Sequence, residues 1–433
     1  MRQKITLSIF MVIMALVLVI MSLLLTLRFP PAQDSSQSDK NLRPTVILVS
    51  IDGFHPDYLN RYPAPTLSML ARQGVRAKWM TPVYPTLTFP NHYSIATGLY
   101  PDKHGIVGNN IYDPEFKQTF ALSKREEVQN GRWWLGEPIW VTAEKQGLQA
   151  AAFFFPGTEA EIGGKRPSRW KTYDGKIPNS ERVDTVLSWL DLPGPERPAL
   201  ILTYFGDIDS AGHESGPNSD GVRQAVAETD MALTRLVDGL KSRKIFERVN
   251  IIIVSDHGMA RIDPSQIVML DDYFDHKQVE TVIWNGCSVN IFPKPGMEQA
   301  IYSSLKSKAP PQVTVYRRQE TPARFHYGGS ARIGDIVVMA AEGWTIVSRE
   351  RYRAPARAAN GEVIYRGAHG YDNRLESMRA IFIAHGPAFK QSQVIEPFEC
   401  VDVYNMMAEI LGLKPTSNDG GYTAARAVLR SQQ

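Results

Sequence analysis

Cysteine is nearly absent. Cys287 and Cys400 are the only two in 433 residues, which excludes a scaffold stapled by disulfides. An oxidising compartment would let the two thiols pair; two buried free thiols is the other reading, and the sequence leaves both open. An excess of one charge is lacking too. Lys and Arg number 48 against 45 Asp and Glu, a net +3, and the cations are scattered. Nothing in that balance argues for a polyanionic partner, so no nucleic-acid partner is expected. No internal repeat and no long low-complexity segment is visible, which excludes a repeat array. What remains is a chain with 43% hydrophobic and 21% charged residues, enough to bury one large α/β domain or two smaller ones.

The N-terminus differs from the rest. Arg2 and Lys4 precede Leu7 to Leu27, a run without a charge; about 20 apolar residues span a bilayer. The positive flank predicts a cytoplasmic N-terminus and export of the chain beyond Arg28. Residues 1–27 therefore read as a membrane anchor that places the rest on the periplasmic or extracytoplasmic side. A cleaved signal peptide is the competing reading, but the run is longer than a usual apolar signal core and no clear A-x-A site comes after it. Residues 28–43, rich in Pro, Ser, Gln and Asp, read as a flexible tether. The globular domain is expected over 44–415, with 416–433 as a C-terminal tail.

From Pro44 on, strand-like and helix-like segments alternate. TVILVS, AAAFFF, ALILTYFG, NIIIVS and AIFIAHG punctuate amphipathic stretches such as Val222 to Leu240 and Val401 to Leu411. This predicts an α/β fold with a wound, mostly parallel sheet flanked by helices. Tyr273 to Trp344 is less periodic and reads as a small additional β subregion. Acidic and imidazole residues stand at the ends of the apolar runs: Asp52 after TVILVS, Asp256 and His257 after NIIIVS, Asp209 and His213 after ALILTYFG, with His369 in GAHGYDN. Open α/β sheets bind ligands beyond the carboxyl ends of their strands, so these groups should converge. Together they supply mixed N and O ligands that suit zinc better than magnesium or calcium. Thr88 precedes Phe89 and Pro90, and proline favours the first helical position. Thr88 is therefore expected near a helix N-terminus, where free N–H groups favour an anion such as phosphate. Its hydroxyl is a poor nucleophile alone and needs a divalent metal to activate it; a plain helix cap is the bland alternative.

SIDGF at Ser50 to Phe54, PTLTFPNHYSIATG at Pro85 to Gly98, HGIVGN at His104 to Asn109, DSAGHESGP at Asp209 to Pro217, SDHGM at Ser255 to Met259 and HGYDN at His369 to Asn373 strongly resemble the nucleotide pyrophosphatase/phosphodiesterase family of the alkaline phosphatase superfamily. The motifs run in family order over nearly the whole globular chain. The resemblance implies an alkaline-phosphatase-like sandwich with two Zn2+. One ion would be held by Asp209, His213 and His369, the other by Asp52, Asp256, His257 and the nucleophile Thr88. Asn109 matches a family asparagine that hydrogen-bonds a phosphoryl oxygen. Zincs about 4 Å apart can stabilise the entering and leaving oxygens of an in-line displacement, and Thr88 would carry a covalent phosphoryl intermediate. Ile208 stands where many relatives have proline, which changes only local stiffness. Asp207 does not match the motif spacing and reads as structural.

Phe89 comes directly after the nucleophile and should line the pocket mouth. Tyr173 resembles a family tyrosine that stacks on a nucleobase, and Tyr204 another pocket aromatic. Stacking is worth roughly 1–3 kcal/mol per base and tolerates base identity. Trp133, Trp134 and Trp170 read as packing residues. The expected substrates are nucleoside triphosphates, dinucleotides and nucleotide sugars, cleaved to nucleoside 5′-monophosphates. One alternative within the family is a lysophospholipid or glycerophosphocholine phosphodiesterase; its choline pocket is not evident. A sulfatase would need Cys or Ser where Thr88 stands. A catalytically silent nucleotide-binding protein is the reading from another class, and the retained nucleophile and ligands weigh against it. The Cys-rich modules and nuclease-like tail of vertebrate members have no counterpart here, and no protein partner is expected.

Overall fold

Thr45–Ile51 is apolar but for its first and sixth residues and is buried along its whole length, as a strand covered on both faces must be. It is β1 of a central sheet in the computed structural model, which describes residues 43–350, 352 and 366–431. The anchor expected at 1–27, and the tether at 28–43 apart from Arg43, lie outside the described residues. The other strands are β2 (Val75–Ala77), β3 (Ala150–Phe153), β4 (Arg169–Lys171), β5 (Leu200–Phe205), β6 (Val249–Val254), β7 (Phe382–His385) and β8 (Gln393–Ile395). Their order is β8–β2–β7–β6–β1–β5–β3–β4. The strands β6, β1, β5, β3 and β4 run parallel, and β7 is antiparallel to both β6 and β2. The expected mostly parallel sheet is therefore present, built on the apolar runs of the sequence.

Side chains alternate across the sheet. Val46, Leu48, Leu200, Leu202, Ile252 and Val254 share one buried cluster with Tyr93, Ile95 and Ala96 of α2 (Thr88–Thr97) and with Met406 and Met407 of α6 (Asp402–Leu411). Of three further helices, α1 (Pro65–Gln73), α3 (Asn179–Leu190) and α5 (Asp220–Ser242), α5 lies against both others. Ala64, which precedes α1, cannot cap it with a side chain. The buried Asp230 of α5 accepts from the Thr66 and Leu67 N–H groups at 3.1 and 2.8 Å instead, satisfying donors that a helix N-terminus leaves free.

The less periodic region forms a four-stranded antiparallel sheet in the order Val279–Trp284, Ser288–Pro293, Ile336–Ala340, Val313–Arg317, with its own apolar cluster. Residues 416–431, set apart as a tail by the sequence, pack onto the main body: Thr423–Val428 is helical and buries Ala424, Ala425 and Val428 in the central cluster. Small side chains at close spacing hide that role in the sequence. Among the described residues no helix is long and apolar enough to cross a membrane.

Candidate metal centre and active site

β1 lies between β5 and β6 and pairs in parallel with both, so the carboxyl ends of the three strands are neighbours. Asp52 comes directly after β1. Asp256 and His257 come just after β6. The chain leaving β5 turns at once into α4 (Asp207–Ser215), where Asp209 and His213 are one turn apart and share a face. His369 arrives by a different route. Gly367–Ala368 pairs antiparallel with Ala260–Arg261, just past His257, which stacks the His257 and His369 rings at 3.6 Å.

Gly53 shows how tightly these ends approach. Its φ is +70°, and a Cβ there would stand 3.0 Å from the Asp209 Cα; its N–H donates to Asp256 Oδ1 at 3.1 Å. Gly53→Ala combines left-handed strain of about 1–3 kcal/mol with displacement of Asp209. The expected result is a lower denaturation midpoint together with weakened metal binding, read by urea melts and zinc titration; an unchanged zinc affinity would refute this role.

Asp209, His213 and His369 form one group of potential ligands and Asp52, Asp256 and His257 another, the donor atoms in each lying within 4.8 Å of one another. In the first, Asp209 Oδ1 lies 3.5 Å from His213 Nε2 and 3.4 Å from His369 Nε2, and the two nitrogens are 3.1 Å apart. In the second, His257 Nε2 is 3.5 Å from Asp52 Oδ1 and 3.0 Å from Asp256 Oδ2. Ligands at about 2.0–2.1 Å around a tetrahedral zinc are about 3.3 Å from each other. The three imidazoles are preset: Nδ1 of His213, His257 and His369 donates to the carbonyls of Gly367, Gly258 and Thr86 at 2.9, 2.9 and 2.8 Å. That leaves each Nε2 lone pair for the centre. Asp52 Oδ1, Asp209 Oδ1, Asp256 Oδ2 and His257 Nε2 are buried without a hydrogen-bond partner. Buried polar atoms without partners are costly, so this donor set fits a pair of divalent cations.

The electrostatics divide the set: His257 is raised, burial being outweighed by the charge and hydrogen bond of Asp256, whereas Asp52, Asp209 and His369 respond mainly to burial and to their neighbours in the set. Burial raises Asp52 well above the usual carboxylate range, and the charges of Asp256 and Asp209 add to it. Burial likewise raises Asp209. For Asp256 burial is opposed and outweighed by His257 and His92, which hold it low. Burial, then the neighbouring His257 and His213, depress His369 well below its ordinary value, so its ring is neutral and able to ligate.

Thr88 is the first residue of α2, with Leu87 as cap. Pro90 is thus the third helical residue, not the first; the opening turn has no intrahelical acceptors for its N–H groups, so proline is tolerated there too. Asn91 braces the preceding turn, accepting from the Val83 N–H at 2.7 Å and donating to the Pro85 and Leu87 carbonyls at 3.1 and 2.9 Å. Asn109 Oδ1 accepts from the Phe89 N–H at 3.0 Å, which orients the amide beside Thr88 and leaves its NH2 as the group it can offer. His92, which sequence reasoning passed over, contacts the Thr88 carbonyl and Ser50 Oγ at 2.8 and 2.7 Å and stands 3.4 Å from Asp256 Oδ2. Its position four residues after Thr88 was the available signal.

A cavity of about 650 Å³ opens onto Asp52, Thr88 and Asp209 and extends between Phe89, Phe154 and Tyr173. Tyr173 is 43% exposed, so its ring is available at the mouth. Its backbone N–H donates to Glu159 at 3.1 Å, and Glu159 also pairs with Arg125, whose guanidinium lies over the Tyr173 ring. Glu159, Arg125 and the buried Arg182 carried no local sequence signal, because tertiary folding alone joins them. Tyr204 also borders the cavity, but its hydroxyl donates to Asp52 Oδ2 at 2.6 Å. Asp207 accepts from Asn179 at 2.7 Å and stands outside both ligand groups. Trp133 and Trp134 are buried, and Cys287 and Cys400 are buried and unpaired.

The family model for type I phosphodiesterase / nucleotide pyrophosphatase matches residues 46–372. In sequence the chain is 38% identical over 399 residues to rat ectonucleotide pyrophosphatase/phosphodiesterase family member 3, covering 90% of this chain and 44% of that protein. It is 39% identical over 396 residues to the venom phosphodiesterase CdcPDE of Crotalus durissus collilineatus, covering 89% and 46%. The chain spans about half the length of these relatives. In structure it resembles mouse ectonucleotide pyrophosphatase/phosphodiesterase 5 with a TM-score of 0.82 at 31% identity, covering 89% of this chain and 100% of that one. An inactive threonine-to-alanine variant of that mouse protein, in complex with AMP, matches with a TM-score of 0.81 at 31% identity, over 89% and 99%.

Proposed function

Because the chain belongs to the type I phosphodiesterase / nucleotide pyrophosphatase family, we propose that it is a two-zinc enzyme hydrolysing nucleotide diesters and pyrophosphates to nucleoside 5′-monophosphates. The observation that carries this reading is the pair of ligand groups, with partnerless buried atoms in both, opening beside Thr88 into a cavity walled by Phe89 and Tyr173. Asp209, His213 and His369 would hold one ion, and Asp52, Asp256, His257 and Thr88 the other. Bound zinc would supply Lewis-acid neutralisation of the phosphoryl charge and lower the pKa of the threonine hydroxyl.

This chain's own residues do the rest. Phe89 and Tyr173 hold the base by its faces, and the Asn109 amide donates to a phosphoryl oxygen, fixing the phosphorus in front of Thr88. The Thr88 hydroxyl gives its proton to solvent, its Oγ bonds to phosphorus, and the bond to the leaving oxygen on the opposite side breaks, releasing that group as its anion (pyrophosphate from ATP). Water then displaces Oγ, releasing the monophosphate and restoring the threonine. The AMP complex of the mouse relative supports a nucleotide as the bound group. The apolar run from Leu7 to Leu27 supports placing this chemistry outside the cytoplasm, held to the membrane; protease accessibility in intact cells tests that.

The deciding experiment incubates the protein and zinc with ATP or a lysophosphatidylcholine and identifies the products. AMP plus pyrophosphate is expected from ATP. Phosphocholine release with ATP untouched would move the substrate to lipid, and binding of nucleotide with no turnover in zinc would mark a silent protein.

A further inference from the structure

Asp52 closes β1, and its two carboxylate oxygens have unequal surroundings. Oδ1 is buried, has no hydrogen-bond partner and faces His257 Nε2 at 3.5 Å. Oδ2 accepts from the Tyr204 hydroxyl at 2.6 Å. Burial keeps the proton on the Tyr204 phenol, and a metal-ligating Asp52 would be a carboxylate that can only accept, so the tyrosine is the donor. Tyr204 sits in β5 opposite Ser50 in the strand register and reaches along β1 to Asp52. Its ring stands edge-on to both neighbours, at 66° and 6.4 Å from Tyr173 and at 65° and 5.4 Å from His92. It therefore offers no face parallel to Tyr173 for a second stacking wall.

The backbone behind it is also held. Arg182 of α3 is 4% exposed, and it donates to the Tyr204 carbonyl at 2.7 Å and to the Ile177 carbonyl at 3.0 and 2.8 Å. A buried guanidinium thus ties α3 and the segment before it to the end of β5, just where the tyrosine must be placed to meet Asp52.

We propose that Tyr204 is a positioning residue for the metal group of Asp52, Asp256 and His257: its O–H holds Asp52 by Oδ2 and presents Oδ1 as the ligand atom, with Arg182 bracing the tyrosine from behind. The inference rests on the reading of the two groups as metal sites and assigns Tyr204 away from nucleobase contact. Groups that orient metal ligands typically change affinity by about 10–100-fold when removed.

The test uses the full chain, stripped of metal and titrated with Zn2+ against a chromophoric chelator, for the wild type, Tyr204→Phe, Tyr173→Ala and Asp52→Asn. Asp52→Asn identifies which of the two equivalents belongs to this group. Tyr204→Phe is expected to weaken that equivalent by about 10–100-fold and leave the other unchanged. Its KM for nucleotide should match wild type at saturating zinc, with kcat recovering as zinc is raised. Tyr173→Ala should do the reverse, raising KM with both equivalents intact. A Tyr204→Phe protein with wild-type zinc affinity, or with raised KM alone, overturns the proposal, as does loss of both equivalents with a changed circular dichroism spectrum, which would make Tyr204 a general structural residue. A wild type that binds no zinc overturns the metal reading itself, and the proposal with it.

Discussion

Thr88→Ala is expected to lower turnover of ATP by on the order of 10³- to 10⁶-fold, the range seen when a covalent nucleophile is removed and binding groups remain. The side chain removed is small, and its neighbours are held by bonds that survive the change. The Thr88 carbonyl still meets His92, and the Phe89 N–H still donates to Asn109. The fold should therefore be unaffected, with a melting temperature close to wild type, and AMP should still bind between Phe89 and Tyr173. Equilibrium dialysis with AMP beside single-turnover measurements separates the two quantities. Turnover within about tenfold of wild type would contradict Thr88 as nucleophile, since a bystander threonine contributes little more than local packing.

Metal removal should produce the second large effect. Chelation is expected to abolish turnover and lower the melting temperature by several degrees, and zinc to reverse both, because a ligand that binds only the folded state stabilises it by about 2.7 kcal/mol at a hundred times its dissociation constant. The gain should grow with pH. In the metal-free protein burial raises Asp52 and Asp209, so their contribution to stability is full below the unfolded carboxylate value of about 4 and is lost as pH rises through the raised values. Asp256 works the other way: held low by His257 and His92, its contribution is present above that value and disappears on acidification. Below those raised values Asp52 and Asp209 carry protons in the metal-free centre, and a bound ion would have to displace them. Calorimetry at about pH 5.5 and about pH 8, with and without zinc, reads the difference directly. An equal gain at both values would show that the two groups do not exchange protons for metal.

Much of this was legible in the linear chain, for a local reason. A strand buried on both faces has to be continuously apolar, so TVILVS and NIIIVS announce β1 and β6 without help from elsewhere. Parallel strands present their carboxyl ends together, so a carboxylate or imidazole directly after such a run is placed by the run itself. Asp52, Asp256 and His257 are of this kind, and Asp209 with His213 needs only one helical turn. What short-range pattern could not supply was partnership. His369 joins the centre through a two-residue strand far along the chain. Tyr204 reads in sequence as one more pocket aromatic, and its bond to Asp52 exists because β5 lies beside β1 in one register. Glu159, Arg125 and Arg182 carry no periodicity, and the C-terminal helix hides its buried face in small side chains. Local sequence determines which elements form and which ends bear chemistry, because those depend on burial and backbone geometry within a few residues. Tertiary structure decides which lone pairs face one another, because that depends on contacts between segments whose spacing in the chain carries no period.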